Sequence, residues 1–216
     1  MELKLIFLII FGVVSVVYLV TLGFKPGKFQ FILKGYLMPL VLAVYITGTS
    51  GNIYLPIVFA LIFAWIGDVL LVRITNILWF KLGLASFLVG HIFYIIAMSG
   101  FIHPFNIPAL IVSILFALCF GVTAYKVVRP SKQMRIPVIA YEAVIMTMAV
   151  FALQLFIAQR SSNINFGALV FAGSICFVIS DTLLALRTFR RVRIYFTVMI
   201  TYIAAQILIT LGFIAL

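Results

Sequence analysis

Three carboxylates lie in apolar parts of this chain, where carboxylates are rare. The 216 residues include only four acidic side chains, and of these Glu2 is terminal. Asp68, Glu142 and Asp181 lie within or at the edge of long apolar segments. A charged side chain at the centre of a bilayer costs about 2.5–3.5 kcal/mol. Such residues indicate a polar interior, where they can transfer protons or form ion pairs.

The surrounding composition is that of an integral membrane protein, with 66% hydrophobic and 9% charged residues. Apolar runs of about 20 residues, each long enough to span a bilayer, repeat along the chain. We expect an all-α polytopic membrane protein whose residues 1–216 form a single transmembrane helical bundle. Eight transmembrane helices are predicted, at residues 3–24, 31–49, 53–72, 78–100, 106–128, 136–158, 165–187 and 194–214.

The basic residues are distributed very unevenly between the two sides of these predicted helices. Twelve of the 15 lie in or beside the first, third, fifth and seventh loops, whereas Lys4 and Arg160 lie on the opposite side and Lys34 inside the second span. The positive-inside rule therefore predicts a multi-pass cell membrane protein with cytoplasmic basic loops and both termini extracytoplasmic. It also explains the net charge of +11 without a nucleic-acid partner.

The polar residues inside the spans share one depth. Asp68 precedes Arg73 by five residues and Asp181 precedes Arg187 by six, which places each aspartate about 7–9 Å from the cytoplasmic edge. Lys34 and Glu142 lie at a similar depth on ascending helices, and such a layer predicts a lined cavity in the cytoplasmic half. The segments 66–71 and 179–184 also resemble each other, which predicts a 4+4 parallel internal repeat with the two aspartates facing each other.

Several other side chains could contribute to this cavity. His91 and Tyr94 share a face of the fourth span, as a packing pair or as ligand contacts. Tyr202 and Gln206 lie one turn apart on the eighth span, as a link between helices or as headgroup contacts. Lys34 either extends to the interface or pairs with an aspartate. One mid-membrane histidine is too few for a metal site, and no phosphate loop, dinucleotide fingerprint or serine-hydrolase elbow is present.

Spans two to eight contain an ordered set of short motifs: Lys34 with Pro39, Gly67-Asp68-x-x-Leu71, Gly83-x-x-x-Phe87-x-x-x-His91-x-x-Tyr94, Gly167-Ala168-x-x-Phe171, Ser180-Asp181-x-x-Leu184-Ala185 and Tyr202-x-x-Ala205-Gln206. This ordered set resembles the YhhN family of lysoplasmalogenase-like membrane proteins. Glu142 lies outside this pattern. The resemblance implies eight transmembrane helices and hydrolysis of the vinyl ether bond of lysoplasmalogens. The products would be a fatty aldehyde and glycerophosphoethanolamine or glycerophosphocholine, and no cofactor is required.

The candidate residues match this chemistry. Protonation of the vinyl ether needs an acid, and the oxocarbenium ion that forms needs an anion or base, so two carboxylates in different environments could divide these roles. We expect Asp68 and Asp181 to be this pair, with His91 also catalytic. The expected contacts to the lysophospholipid substrate are Lys34, Tyr94, Tyr141, Tyr202, Gln206, Arg73, Lys81 and Arg187. The surrounding membrane lipids are the other expected partner.

Two other functions use the same residues. A proton-coupled lipid or solute transporter would move a solute without changing it chemically. A structural or regulatory membrane protein would hold its acids in ion pairs with Lys34 and the arginines, in dry packing without a cavity.

Overall fold

The computed structural model describes residues 2–24, 27–49, 51–73 and 76–216, with the backbone alone at Arg73. Lys25, in the first predicted basic loop, and the Arg73 side chain lie outside this part. The described residues form eight α-helices and no strand, which confirms the all-α polytopic prediction. The helices are α1 Glu2–Thr21, α2 Lys28–Gly48, α3 Leu55–Leu70, α4 Ile77–Ser99, α5 Ile107–Val128, α6 Arg135–Ala158, α7 Ile164–Arg190 and α8 Tyr195–Ile214.

The helices have the lengths that a membrane protein requires. Seven of the described helices are long and apolar enough to cross a membrane. The exception is α3, whose 16 residues extend about 24 Å and continue into the 3-10 turn Leu71–Arg73. Pro56 occupies the first turn of α3, where the missing N–H is not needed for helical hydrogen bonds. The chain is therefore a multi-pass membrane protein.

The described helices group into two compact units, which divide within α4 between Phe93 and Tyr94. In the N-terminal unit α2 packs against α1 and α3, and its core includes Leu37, Val41 and Ile57. In the C-terminal unit α7 packs against α5, α6 and α8, with α7 and α8 forming the most extensive pair. The prediction that residues 1–216 form one bundle stays a prediction.

Small residues allow close helix contacts within both units. A Cβ atom added to Gly90 of α4 would lie 3.2 Å from the Ala60 carbonyl oxygen of α3. One added to Gly173 of α7 would lie 2.9 Å from the Ala205 carbonyl oxygen of α8. Helices in membranes approach this closely where a side chain is small or missing. Ala60 precedes Asp68 by eight residues, as Gly173 precedes Asp181. The internal repeat and its parallel axis stay predictions.

The close contact at Gly173 predicts a difference between two glycine substitutions. Gly173→Ala should destabilise the protein by about 1–3 kcal/mol, because the new methyl group overlaps the backbone of α8. Gly121→Ala should leave stability equal or slightly higher, because its Cβ would meet Glu142 Cγ at an ordinary 3.7 Å and alanine favours helix. Thermal unfolding of the purified variants in detergent measures both effects. Equal unfolding temperatures would contradict the tight α7–α8 contact.

Candidate active site

A buried ion pair joins α2 to α3 in the N-terminal unit. Lys34 Nζ lies 3.1 Å from Asp68 Oδ1, and the two side chains are only 9% and 3% exposed. The preceding residue, Gly67, is covered by the Phe87 ring of α4, which a Cβ atom there would approach to 2.6 Å. Glycine at position 67 therefore allows α4 to pack directly over the segment that carries Asp68. The alternative that Lys34 only extends to the interface is not what the structure shows.

A cavity of about 450 Å³ adjoins this ion pair. Its lining combines the two charged groups with apolar and aromatic side chains from α2, α3, the 3-10 turn and α4: Phe31, Ile32, Lys34, Gly35, Asp68, Val69, Val72 and Trp79. Nearby, the Trp65 indole nitrogen donates a hydrogen bond to the Gly35 carbonyl, at 2.9 Å. The sequence did not identify Trp79 as a site residue, because a tryptophan near the end of a span is usually an interface anchor.

Asp181 has a corresponding partner in the C-terminal unit. The Tyr141 hydroxyl of α6 donates a hydrogen bond to Asp181 Oδ2 of α7, at 2.5 Å. The preceding residue, Ser180, is fully buried, and its hydroxyl donates to the Val198 carbonyl of α8, at 3.1 Å. Each aspartate is thus bound by a side chain of the preceding helix, and each follows a small residue that contacts the next helix.

A second polar group in the C-terminal unit links α4 to α8. The Tyr94 hydroxyl donates a hydrogen bond to Gln206 Oε1 at 2.7 Å, and the Gln206 amide donates to the Tyr202 hydroxyl at 3.5 Å. The Phe177 ring lies 6.1 Å from the Tyr94 ring and 5.9 Å from the Tyr202 ring, between centroids. The predicted inward orientation of Tyr202 and Gln206 agrees with this arrangement. Such a link stabilises helix association in an apolar environment.

Three other predicted residues lie on α4 and α7. His91 is buried in α4, one turn before Tyr94. Lys81 lies in the second turn of α4 and is partly exposed. The Arg187 guanidinium stacks on the Tyr195 ring, 3.9 Å from its centroid, so aromatic contact positions this cation. Because Asp68 and Asp181 belong to different units, their predicted convergence on one cavity stays a prediction.

The burial of the ion pair predicts a strong dependence of stability on Lys34. Lys34→Met should cost about 3–5 kcal/mol, because it leaves the Asp68 carboxylate buried without its cation. The double variant Lys34→Met/Asp68→Leu should recover most of this loss, since it removes both charges and fills the space with apolar groups. Thermal unfolding in detergent compares the variants. A double variant no more stable than the single one would show that the pair is not the source of the loss.

A match to a protein-family profile covers all of the motifs found in the sequence. The profile of the YhhN family matches residues 29–213, from the start of α2 almost to the end of α8. No curated protein and no solved structure matches the chain. The matched range contains both aspartates, Lys34, Tyr141 and the group of Tyr94, Tyr202 and Gln206. The chain therefore belongs to the YhhN family.

Proposed function

We propose that this YhhN-family protein is a lysoplasmalogenase-like hydrolase that cleaves the vinyl ether bond of lysoplasmalogens. The observation that carries the proposal is the chemical difference between two intramembrane carboxylates. Asp68 forms an ion pair with an ammonium group, whereas Asp181 is hydrogen-bonded to a phenol. Enzymes that pass through oxocarbenium ions commonly place two carboxyl groups in such different environments.

The proposed reaction adds one water molecule across the vinyl ether. A proton adds to the β-carbon, and the double-bond electrons that form the new C–H bond leave an oxocarbenium ion at the α-carbon. Water attacks this carbon and loses a proton, which gives a hemiacetal. Cleavage of the hemiacetal C–O bond, with proton transfer to the departing glycerol oxygen, releases a fatty aldehyde and the glycerophospho-headgroup alcohol.

We assign different roles to the two carboxyl groups. Asp68 is paired with the Lys34 ammonium, so we assign it as the anion that stabilises the oxocarbenium ion or accepts the proton of water. Asp181 is the general acid. Its Oδ2 accepts a hydrogen bond from the Tyr141 hydroxyl, and we assign the proton to Oδ1. A neutral carboxylic acid can donate and accept hydrogen bonds at the same time.

The other side chains would position the substrate and water. His91 and Tyr94 would orient the water or the enol ether, and the link from Tyr94 through Gln206 to Tyr202 would hold Tyr94 in place. Arg73, Lys81 and Arg187 would bind the lipid phosphate, for which charged donors are well suited. In the predicted orientation both termini are extracytoplasmic, and the proposed reaction would occur in the cytoplasmic half of the cell membrane.

Loss of either carboxylate should abolish turnover. Asp68→Asn and Asp181→Asn should each reduce aldehyde release from lysoplasmalogen by at least about hundredfold, since general acid–base catalysis contributes about 10²–10⁴-fold. Tyr141→Phe should give a smaller loss, about tenfold, because only the orienting hydrogen bond is removed. The matched control Tyr36→Phe alters an exposed tyrosine of α2 and should have no effect. Unfolding temperatures would establish that the variants remain folded.

Two results would contradict this proposal. Full activity in either asparagine variant would exclude the paired-carboxylate mechanism. Movement of intact lysolipid across the membrane of proteoliposomes, with no aldehyde formed, would instead identify a carrier that uses the same carboxylates.

A further inference from the structure

A long groove lies between α5, α6 and α7 of the C-terminal unit, remote in sequence from Asp68. It encloses about 710 Å³ and is lined mostly by apolar side chains, among them Leu110, Val122, Ile139, Met146 and Phe151. This volume falls within the range of pockets that bind small molecules, about 300–1,000 Å³. The groove shares no residue with the hydrogen-bonded groups described above, although Thr182 adjoins Asp181 in sequence.

The one acidic residue of the groove is Glu142 of α6. Its Oε1 atom is buried and accepts no hydrogen bond from any residue that the structure describes. A carboxyl oxygen in apolar surroundings loses free energy unless a donor reaches it. Gly121 of α5 lies opposite the Glu142 side chain, where a Cβ atom would be 3.7 Å from Glu142 Cγ, and both residues line the groove. An occupant with a hydroxyl or ammonium donor would satisfy it.

One end of the groove is basic. Lys126, exposed in the last turn of α5, lines the groove. Two arginines approach the same helix end, because Arg129 Nε donates to the Lys126 carbonyl at 3.2 Å and Arg190 Nε donates to the Val127 carbonyl at 2.9 Å. Cations at a helix C-terminus are favourable, and three together attract an anionic group such as a phosphate.

The spacing along the groove matches one kind of lipid. From Lys126 to Leu110 the groove extends about 24 Å along α5. One leaflet of the hydrocarbon core is about 15 Å thick, so the groove is long enough for the acyl chain and headgroup of one lipid. Gly121, opposite Glu142, is five residues from Lys126, or about 7 Å. An anion at Lys126, a donor about 7 Å deeper and a single apolar chain beyond it correspond to phosphate, free glycerol hydroxyl and acyl chain.

We propose that this groove binds a single-chain glycerophospholipid, with its phosphate at Lys126, Arg129 and Arg190 and its free hydroxyl donating to Glu142. A diacyl phospholipid has both glycerol hydroxyls esterified and lacks the donor. The inference goes beyond the proposed hydrolase, because binding requires no vinyl ether and none of the residues assigned to catalysis.

Binding of a saturated lysolipid tests the proposal. The probe is 1-palmitoyl lysophosphatidylethanolamine, compared with its dipalmitoyl counterpart, on the full chain in detergent by native mass spectrometry. The wild type should prefer the single-chain lipid. Glu142→Leu should weaken its binding about tenfold, as expected when a buried acceptor and its hydrogen bond are lost, whereas Glu142→Gln retains an acceptor and should bind nearly as well as the wild type. The palmitoyl probe is not a vinyl ether, so the result is independent of hydrolysis.

Matched variants separate groove binding from general lipid contact. Lys126→Ala should weaken binding severalfold, whereas Lys132→Ala, an exposed lysine outside the groove lining, should not. Ala117→Phe fills the groove and should abolish binding. The control Leu115→Phe alters a neighbouring α5 side chain that is 58% exposed and outside the lining, and it should leave binding unchanged. Equal affinities for the two lipids, or unchanged binding in Glu142→Leu and Ala117→Phe, would overturn the proposal and identify ordinary surrounding lipid.

Discussion

Two of the carboxylates among these apolar helices are held by a side chain of a neighbouring helix, and each of these contacts joins two helices within one described unit. Lys34 supplies the partner for Asp68 and Tyr141 the partner for Asp181, in each case from the preceding helix. These contacts fix α2 against α3 and α6 against α7. Burying two charges costs several kcal/mol per ion in an apolar medium, so the Lys34–Asp68 pair is weak evidence for stability alone. The proposed reaction gives the pair a chemical role as well.

The two partners differ in charge, and this difference connects the architecture to a reaction. Two equivalent aspartates would have equivalent chemistry, whereas an ammonium at one and a phenol at the other allow an anion and an acid to coexist. The small residues beside them serve the same end. Gly67 lets the Phe87 ring of α4 approach, and Ser180 bonds to the α8 backbone, so each aspartate is held by helices on both sides.

Hydropathy and charge in the sequence predict the helices and identify the polar residues inside them, because both depend on local composition. The eight predicted spans correspond to α1–α8, and Lys34, Asp68, Asp181 and Tyr141 were all identified as candidates. The partners were harder to predict, since they depend on how each helix is rotated about its axis. Trp79 was missed because a tryptophan near the end of a span is usually an interface anchor. The groove beside Glu142 was missed because it depends on which faces of α5, α6 and α7 lie toward one another.

The relation between the two aspartates is the part that neither local composition nor the contacts within each unit determine. The reaction proposed for this protein has both aspartates act on one lipid, and it requires a proton to be delivered to carbon. Deuterium provides the most direct test of that step. Lysoplasmalogen hydrolysed by the protein in D₂O, with the aldehyde trapped by reduction as it forms, should carry one deuterium on the carbon next to the former carbonyl. Aldehyde without deuterium at that carbon, or the absence of aldehyde, would contradict the account.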